Sequence, residues 1–167
     1  MRRELLIGCG NSREKRIVFD AIPKEWTNLT TLDIQSPCDV LHDLNVLPYP
    51  FEDESFDEIQ GYEVLEHLGS QGDWRFFFDQ FAEFYRILKP NGWFCATVPM
   101  WTSPWAFGDP SHTRVIPKEM LSFLDQSHYD QVGTTPCTDF RSYWKGNFIT
   151  KALVESKHTL KFVLQKK

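Results

Sequence analysis

Short apolar runs, each closed by a glycine, a carboxylate or a turn, recur along this chain, and most are too far apart for tight hairpins. They are Leu5-Leu6-Ile7, Leu29 to Ile34, a brief Asp39 to Leu41, Ser55 to Gln60, and Trp93 to Val98 after the turn KPNG. Such runs, bounded by turn residues, read as strands. Parallel neighbours need a crossover of about a dozen residues or more, whereas antiparallel ones can be joined tightly. Only the last two runs, Phe148 to Val154 and Leu160 to Leu164, are linked by a short polar segment, ESKHT, and so predict an antiparallel hairpin. Between the strands, Trp74, Phe77, Phe78, Phe81, Tyr85 and Leu88 recur at three- and four-residue steps. That spacing predicts a helix over Asp73 to Leu88, capped by Asp73, with its aromatic stripe packed on a sheet. A second helix is expected from Pro117 to about Asp125, with proline in its first turn. The fold class is α/β, and 167 residues with no linker or repeat suit one domain, residues 1–167.

The charges are unevenly placed. No Lys or Arg lies between Lys24 and Arg75, where twelve Asp and Glu fall, in a chain of formal net charge −5. That balance argues against nonspecific nucleic-acid binding, which wants a basic footprint. Glu52, Asp53, Glu54, Asp57 and Glu58 are expected to be the solvated turn before the fourth strand. The four cysteines contain no CxxC pair, so free thiols in a reducing compartment are expected. Neither a signal-peptide core nor a long apolar span is visible, and the expected location is cytoplasmic, off the membrane.

The sharpest local signal is the strand-to-glycine step LLIGCGNS. A strand that ends in G-x-G lets backbone approach a ligand closely, since Gly8 and Gly10 carry no Cβ. The dinucleotide form needs a third glycine where Arg13 stands, which argues against a nicotinamide or flavin enzyme. No GxxxxGK[ST] loop occurs, which removes a nucleoside-triphosphate P-loop. Asp33, at the end of the second strand, is placed to accept from both hydroxyls of a ribose. Asp20 competes for that role if RIVF is the strand, and a solvated surface aspartate is the plain alternative for both.

Taken in order, LLIGCGN, TLDI, DVLHDLNVLPYPFEDESFDEIQGYEVLEHL, ILKPNGWFCATVP, DPSHTRVIPKEMLSFL and the C-terminal hairpin resemble the small class I S-adenosylmethionine-dependent methyltransferases. The resemblance spans nearly the whole chain. It implies a three-layer, doubly wound Rossmann-like fold with a mostly parallel sheet and a C-terminal antiparallel hairpin. It implies S-adenosylmethionine as cofactor, with Gly8, Cys9 and Gly10 forming the loop under its methionine and ribose. Asp33 would take the ribose hydroxyls, Ile34 would pack on the adenine, and Asp43 with Leu44 would meet the adenine edge. Glu63, after the fourth strand, would line the methionine end. Asp43 and Glu63 are also open to a capping or loop role. Relatives commonly read GCGxG where this chain has GCGNS; Asn11 tolerates a left-handed backbone, so the turn is expected to survive.

The acceptor is less legible. The segment QGYEVLEH carries neither the [ND]PP[YF] of amino-group methyltransferases on bases nor the Pro-Cys of cytosine enzymes; Pro136-Cys137 lies far downstream. His67 is a candidate base or a cap for the short helix ending near Gly69. His112 is a second candidate base, in a loop rich in Trp101, Trp105 and Phe107 that would form an acceptor site, a lid or an oligomer contact. Asp109 and His112 alone do not make a metal site, and no metal is expected. The expected reaction is methyl transfer to oxygen on a small-molecule or glycan-like acceptor, the alternative being an inactive binding or scaffold protein of the same fold. The short lead before Leu5 implies an open site, or one completed by a partner subunit of a homo-oligomer. An acidic rim would favour the cationic sulfonium over the neutral thioether product.

Overall fold

The computed structural model describes residues 1–19 and 21–167, so the alternative ribose ligand Asp20 lies outside the described residues. Seven strands form one sheet in the order β3-β2-β1-β4-β5-β7-β6. They are β1 (Glu4–Ile7), β2 (Leu29–Asp33), β3 (Val40–Leu41), β4 (Phe56–Tyr62), β5 (Leu88–Pro99), β6 (Phe148–Glu155) and β7 (Thr159–Lys166). The first five are parallel, with Ile7 opposite both Leu32 and Gly61. β7 runs antiparallel beside β5 and pairs with β6 as the expected hairpin. This is the α/β Rossmann-like architecture with a mostly parallel sheet. The chain order reverses direction at β1, so the C-terminal ends of β1 and β4 flank the crevice where such sheets take ligands.

Helix α1 (Trp74–Ile87) begins where its cap predicts, the Asp73 carboxylate accepting from the Phe76 N–H at 3.1 Å. Phe77, Phe81 and Phe84 are buried against the sheet, with Phe84 and Phe94 ring centroids 4.6 Å apart. Gln80 shares that buried face, and Tyr85 is only half-buried. The KPNG segment ends the helix and loops out of the sheet: β4 pairing jumps from Leu88 to Trp93, and Asn91 takes a φ of 62°. α2 (Trp105–Gly108) is a single turn. α3 (Lys118–Ser122) is shorter than the Pro117–Asp125 helix expected, because Asp125 turns outward to cap a following 3₁₀ segment, accepting from the Ser127 N–H at 2.8 Å.

Among the described residues, the opposite face of the sheet is covered without a helix. Ile17 and Ile22, from the connection after β1, pack with Cys95 and Val163 in a small second core. Beside it lies a buried ionic group. The Glu58 carboxylate in β4 is fully buried, with Lys15 Nζ at 3.0 Å and the Arg2 guanidinium at 2.5 Å. Glu4 in β1 is equally buried and accepts from the Thr27 and Asn28 N–H groups at 2.9 Å. This corrects the expectation that Glu58 belongs to a solvated turn. It sits on the strand face that the irregular segment covers, where Lys15 and Arg2 offset its charge. Asp57 also leaves the turn, bridging the Arg3 N–H at 2.8 Å and Lys89 Nζ at 2.7 Å.

Candidate functional site

At the C-terminal ends of β1 to β4 a cleft of about 310 Å³ is lined by residues from four separate connections. Of the eight residues expected to hold a cofactor, Gly8, Gly10, Asp33, Ile34, Asp43, Leu44 and Glu63 line it. Cys9 does not: its side chain is buried, and burial pushes its thiol pKa up. His67 lines the same cleft, together with His42, Asn45, Val64 and Leu68, which sequence reasoning passed over. Their signal was position alone: each follows within a few residues of a strand end.

The local geometry follows from the glycines. Gly8 has a φ of 58° and Gly10 one of 48°. A Cβ on Gly8 would stand 2.8 Å from Val64 Cβ, so this glycine also permits close approach of the β1 and β4 turns. A Cβ on Gly10 would meet nothing within 4 Å, which leaves bare backbone facing open space. Asn11 is not among the described residues with positive φ, so the turn needs left-handed backbone only at the glycines. The position of the missing third glycine is explained by Arg13, whose guanidinium donates to the Gly10 carbonyl at 3.0 Å and to that of Pro37. It ties the β1 turn to the loop after β2.

Asp33 joins the same two turns. One carboxylate oxygen accepts from the Gly10 N–H at 2.8 Å, the other from the Gln35 N–H at 2.9 Å. Each oxygen retains acceptor capacity for a further partner. Ile34 beside it is 61% exposed, an apolar surface on the cleft without a protein neighbour to cover it. One oxygen of Asp43 is engaged by the N–H and side-chain amide of Asn45 at 2.9 and 3.0 Å. The carbonyl oxygen of the Asn45 side chain in turn accepts from the Gly69 N–H at 2.8 Å. These residues fit an S-adenosyl group: backbone bared at Gly10, a carboxylate at the end of β2 for a diol, and an exposed aliphatic face for a flat base.

A second cluster adjoins the cleft. The 3₁₀ turn Leu65–His67 follows β4, and the segment 111–114 is hydrogen-bonded to it, the Thr113 N–H donating to the Glu66 carbonyl at 2.9 Å. The His67 and His112 rings meet edge to face with centroids 4.8 Å apart. Glu66 lies beneath both, 2% exposed, with no hydrogen-bond partner on either carboxylate oxygen. Burial drives its carboxyl well above the usual carboxylate range, its own backbone N–H opposes this, and the charge of Glu63 adds to the rise. The nearby Arg114 donates Nε to the Leu65 carbonyl at 2.8 Å and Nη2 to Gln80. Burial lowers its pKa to about 10. Beyond lies an open cleft of about 360 Å³ formed by Gln71, Trp101, Phe107, Val115, Pro117 and Glu119. Another hollow, between the far end of α1 and residues 143–146, contains none of the predicted site residues.

A Rossmann-like sheet with a glycine turn after β1 and a carboxylate ending β2 defines a binder of nucleoside-type cofactors. Residues 5–96, more than half of the chain, match the family model described as a methyltransferase domain. The chain belongs to that family and is an S-adenosylmethionine-dependent methyltransferase. Among curated proteins, no sequence match is found. Several solved structures share the fold. A SAM-dependent methyltransferase from Archaeoglobus fulgidus is 17% identical, with a TM-score of 0.58 over 99% of this chain and 86% of that one. The 1,6-didemethyltoxoflavin-N1-methyltransferase of Burkholderia thailandensis, with bound 1,6-didemethyltoxoflavin and S-adenosylhomocysteine, is 14% identical, with a TM-score of 0.57 over 99% of this chain and 71% of that one. The N-methyltransferase NodS of Bradyrhizobium japonicum WM9, in complex with S-adenosylhomocysteine, is 16% identical, with a TM-score of 0.55 over 99% and 78%. Among the described residues no helix is long and apolar enough to cross a membrane.

Proposed function

We propose that this protein methylates an oxygen of a small-molecule or glycan-like acceptor, holding its cofactor in the cleft at the ends of β1 to β4. The observation that carries the reading is the convergence of Gly8, Gly10, Asp33, Ile34, Asp43, Leu44, Glu63 and His67 on that one cleft. When bound, the cofactor supplies an electrophilic sulfonium methyl. Asp33 accepts from the ribose hydroxyls, Ile34 packs on the adenine, and Asp43 with Leu44 meets the adenine edge. The backbone of Gly8, Cys9 and Gly10 borders the methionine and ribose, and Glu63 faces the methionine end. His67, a wall of this cleft, and His112, packed against it, are the candidate bases for a hydroxyl proton, and Trp101, Trp105 and Phe107 are exposed aromatics for the acceptor. A sugar or a flat ring suits those aromatics, since each offers a broad apolar face. The enzyme's main contribution is to hold acceptor and methyl donor at reactive distance.

Calorimetry with S-adenosylhomocysteine tests the cofactor half. Hydrogen bonds to a charged partner contribute roughly 1.5–3 kcal/mol, so Asp33→Ala is expected to weaken binding by about one to two orders of magnitude. Equal affinity for wild type and variant removes the ribose assignment. Transfer of labelled methyl to a panel of polyols, phenols and amines tests the acceptor half. Labelling confined to amines overturns the oxygen reading, and binding without any transfer supports the scaffold alternative.

A further inference from the structure

We propose that Glu66, His67 and His112, with Asp109 at the rim, form a site for one divalent cation of the zinc, cobalt or manganese type beside the cofactor cleft. One donor atom from each of Glu66, His67 and His112 lies within 4.8 Å of the others. The Nε2 atoms of both histidines stand 4.0 Å from the same Glu66 oxygen, and His112 Nε2 stands 3.9 Å from an Asp109 oxygen. Neighbouring ligands around a tetrahedral zinc are about 3.3 Å apart. Small side-chain rotations close the difference.

The polar atoms here are otherwise unexplained. Both oxygens of the buried Glu66 carboxylate have no hydrogen-bond partner. An unpartnered buried carboxylate is costly, and the charged side chain beside it, Arg114, is engaged by Leu65 and Gln80. His67 is arranged as metal-binding histidines are. Its Nδ1 is 3.2 Å from the Ser111 carbonyl, which assigns the proton to Nδ1 and leaves the Nε2 lone pair on the Glu66 side. Asp109 is held by one oxygen, which accepts from the Ser111 N–H and hydroxyl at 2.9 and 2.6 Å, so the other is free to face His112. The backbone bonds from Thr113 and Arg114 to the Glu66 carbonyl fix the two halves of the cluster to one another.

Mixed imidazole and carboxylate donors suit zinc and its transition-metal neighbours better than magnesium or calcium. Glu66, His67 and His112 supply three protein ligands, with Asp109 at the rim and not on the ion, which leaves coordination positions free, as in metal sites that handle a ligand rather than brace a fold. His67 is a wall of the cofactor cleft, so the free positions adjoin the place where an acceptor must sit. The ion would hold the acceptor through its oxygens, a vicinal diol or hydroxy-acid being the matching chemistry. That last step rests on the proposed transfer to oxygen and, with both Nε2 lone pairs committed to the ion, takes the place of His67 and His112 as proton acceptors; the cation site itself does not rest on it.

The test uses the full chain, stripped with a chelator and dialysed, with no cofactor present. Cobalt(II) is titrated in, followed by its visible d–d absorption, and zinc(II) by calorimetry. One equivalent of cobalt, displaced by zinc, is expected. Glu66→Gln and His112→Gln are each expected to weaken it at least tenfold. Glu66→Gln keeps the side-chain shape and replaces a carboxyl that burial already pushes toward its neutral form, so it is expected to fold, as circular dichroism checks. S-Adenosylhomocysteine binding is measured on the same metal-free samples. Its loss in wild type overturns the cofactor-site reading and leaves the cobalt result standing. No cobalt binding at millimolar metal overturns the cation site. So does binding unchanged in the Glu66→Gln/His112→Gln double variant, or a strong thiolate-to-cobalt band placing the metal on cysteine.

Discussion

Gly8 is the residue at which sequence and structure agree for two separate reasons. Its φ of 58° is left-handed, and a Cβ there would run into Val64 from the β4 turn. Left-handed backbone costs a residue with a Cβ about 1–2 kcal/mol, and the collision adds to it. Gly8→Ala is therefore expected to destabilise the fold by about 2–3 kcal/mol in urea unfolding. Adding Val64→Ala, which removes the two methyl groups but keeps the Val64 Cβ, should relieve part of the collision and leave the backbone part. If the double variant is no more stable than the additive sum of the single changes, the steric account is wrong. The glycine and Asp33 are visible in the chain because a strand end, a missing Cβ and a carboxylate are local signals. The Glu66–His67–His112 cluster was not: His112 lies 45 positions after His67. Long-range hydrogen bonds bring it there, those of Thr113 and Arg114 to the Glu66 carbonyl among them.

The elements divide by how their burial is achieved. The face under α1 is aromatic, so its helical period was legible, and the hairpin β6–β7 was legible from its short polar joint. The other face was not, because the segment after β1 has no helical period to read and relies on charge. There the Lys15 side chain, 2% exposed, lies between Glu4 and Glu58, at 3.5 and 3.0 Å, and 4.4 Å from the Trp26 ring centre. A sequence view assigns Glu58 to water, since nothing nearby in the chain reveals that Lys15 and Arg2 reach it. Removing one member of a buried ion pair costs about 3–5 kcal/mol, because the other charge is stranded. Lys15→Ala is expected to lower stability by about 3 kcal/mol in urea unfolding, against about 1 kcal/mol for removing the exposed cap in Asp73→Ala. Equal costs for the two would mean that Arg2 alone compensates the carboxylates, and that the irregular layer is held by Ile17 and Ile22.

At the scale of the molecule, the sheet has two unlike ends. The C-terminal strand ends carry the glycine turn, the cleft and the unpartnered Glu66. The N-terminal ends carry carboxylates that are fully engaged. Burial acts to raise the Glu4 carboxyl, but the N–H groups of Asn28 and Thr27, the Thr27 hydroxyl and Lys15 outweigh it and hold its pKa below 4.5. Asp57 is treated alike: burial raises it, and Lys89, the Arg3 N–H and Arg2 bring it below 3.8. In Glu83, on the last turns of α1, burial is outweighed by Arg86 and the Tyr49 N–H, and its pKa falls below 4.5. A carboxyl depressed in the folded state releases its proton more readily folded than unfolded. Its stabilising contribution is then complete above the unfolded pKa and lost as pH falls through the folded one. The three groups tie β1 to residues 27–28, β4 to β1 and β5, and α1 to the loop at Tyr49. Acid therefore loosens the strand N-terminal end at several points together. The urea midpoint is expected to fall steeply below about pH 4.5, whereas above about pH 5 the raised carboxyl of Glu66 acts the other way and adds stability as pH falls. The Glu4→Gln/Glu83→Gln variant, less stable at pH 6, should show a shallower acid decline. A wild-type midpoint that rises as pH falls below about 4.5, or a variant that keeps the full slope there, would assign the pH dependence to other carboxylates. In that case the acidic belt between Glu25 and Asp73, as self-repelling charge relieved by protonation, becomes the dominant electrostatic feature of the molecule.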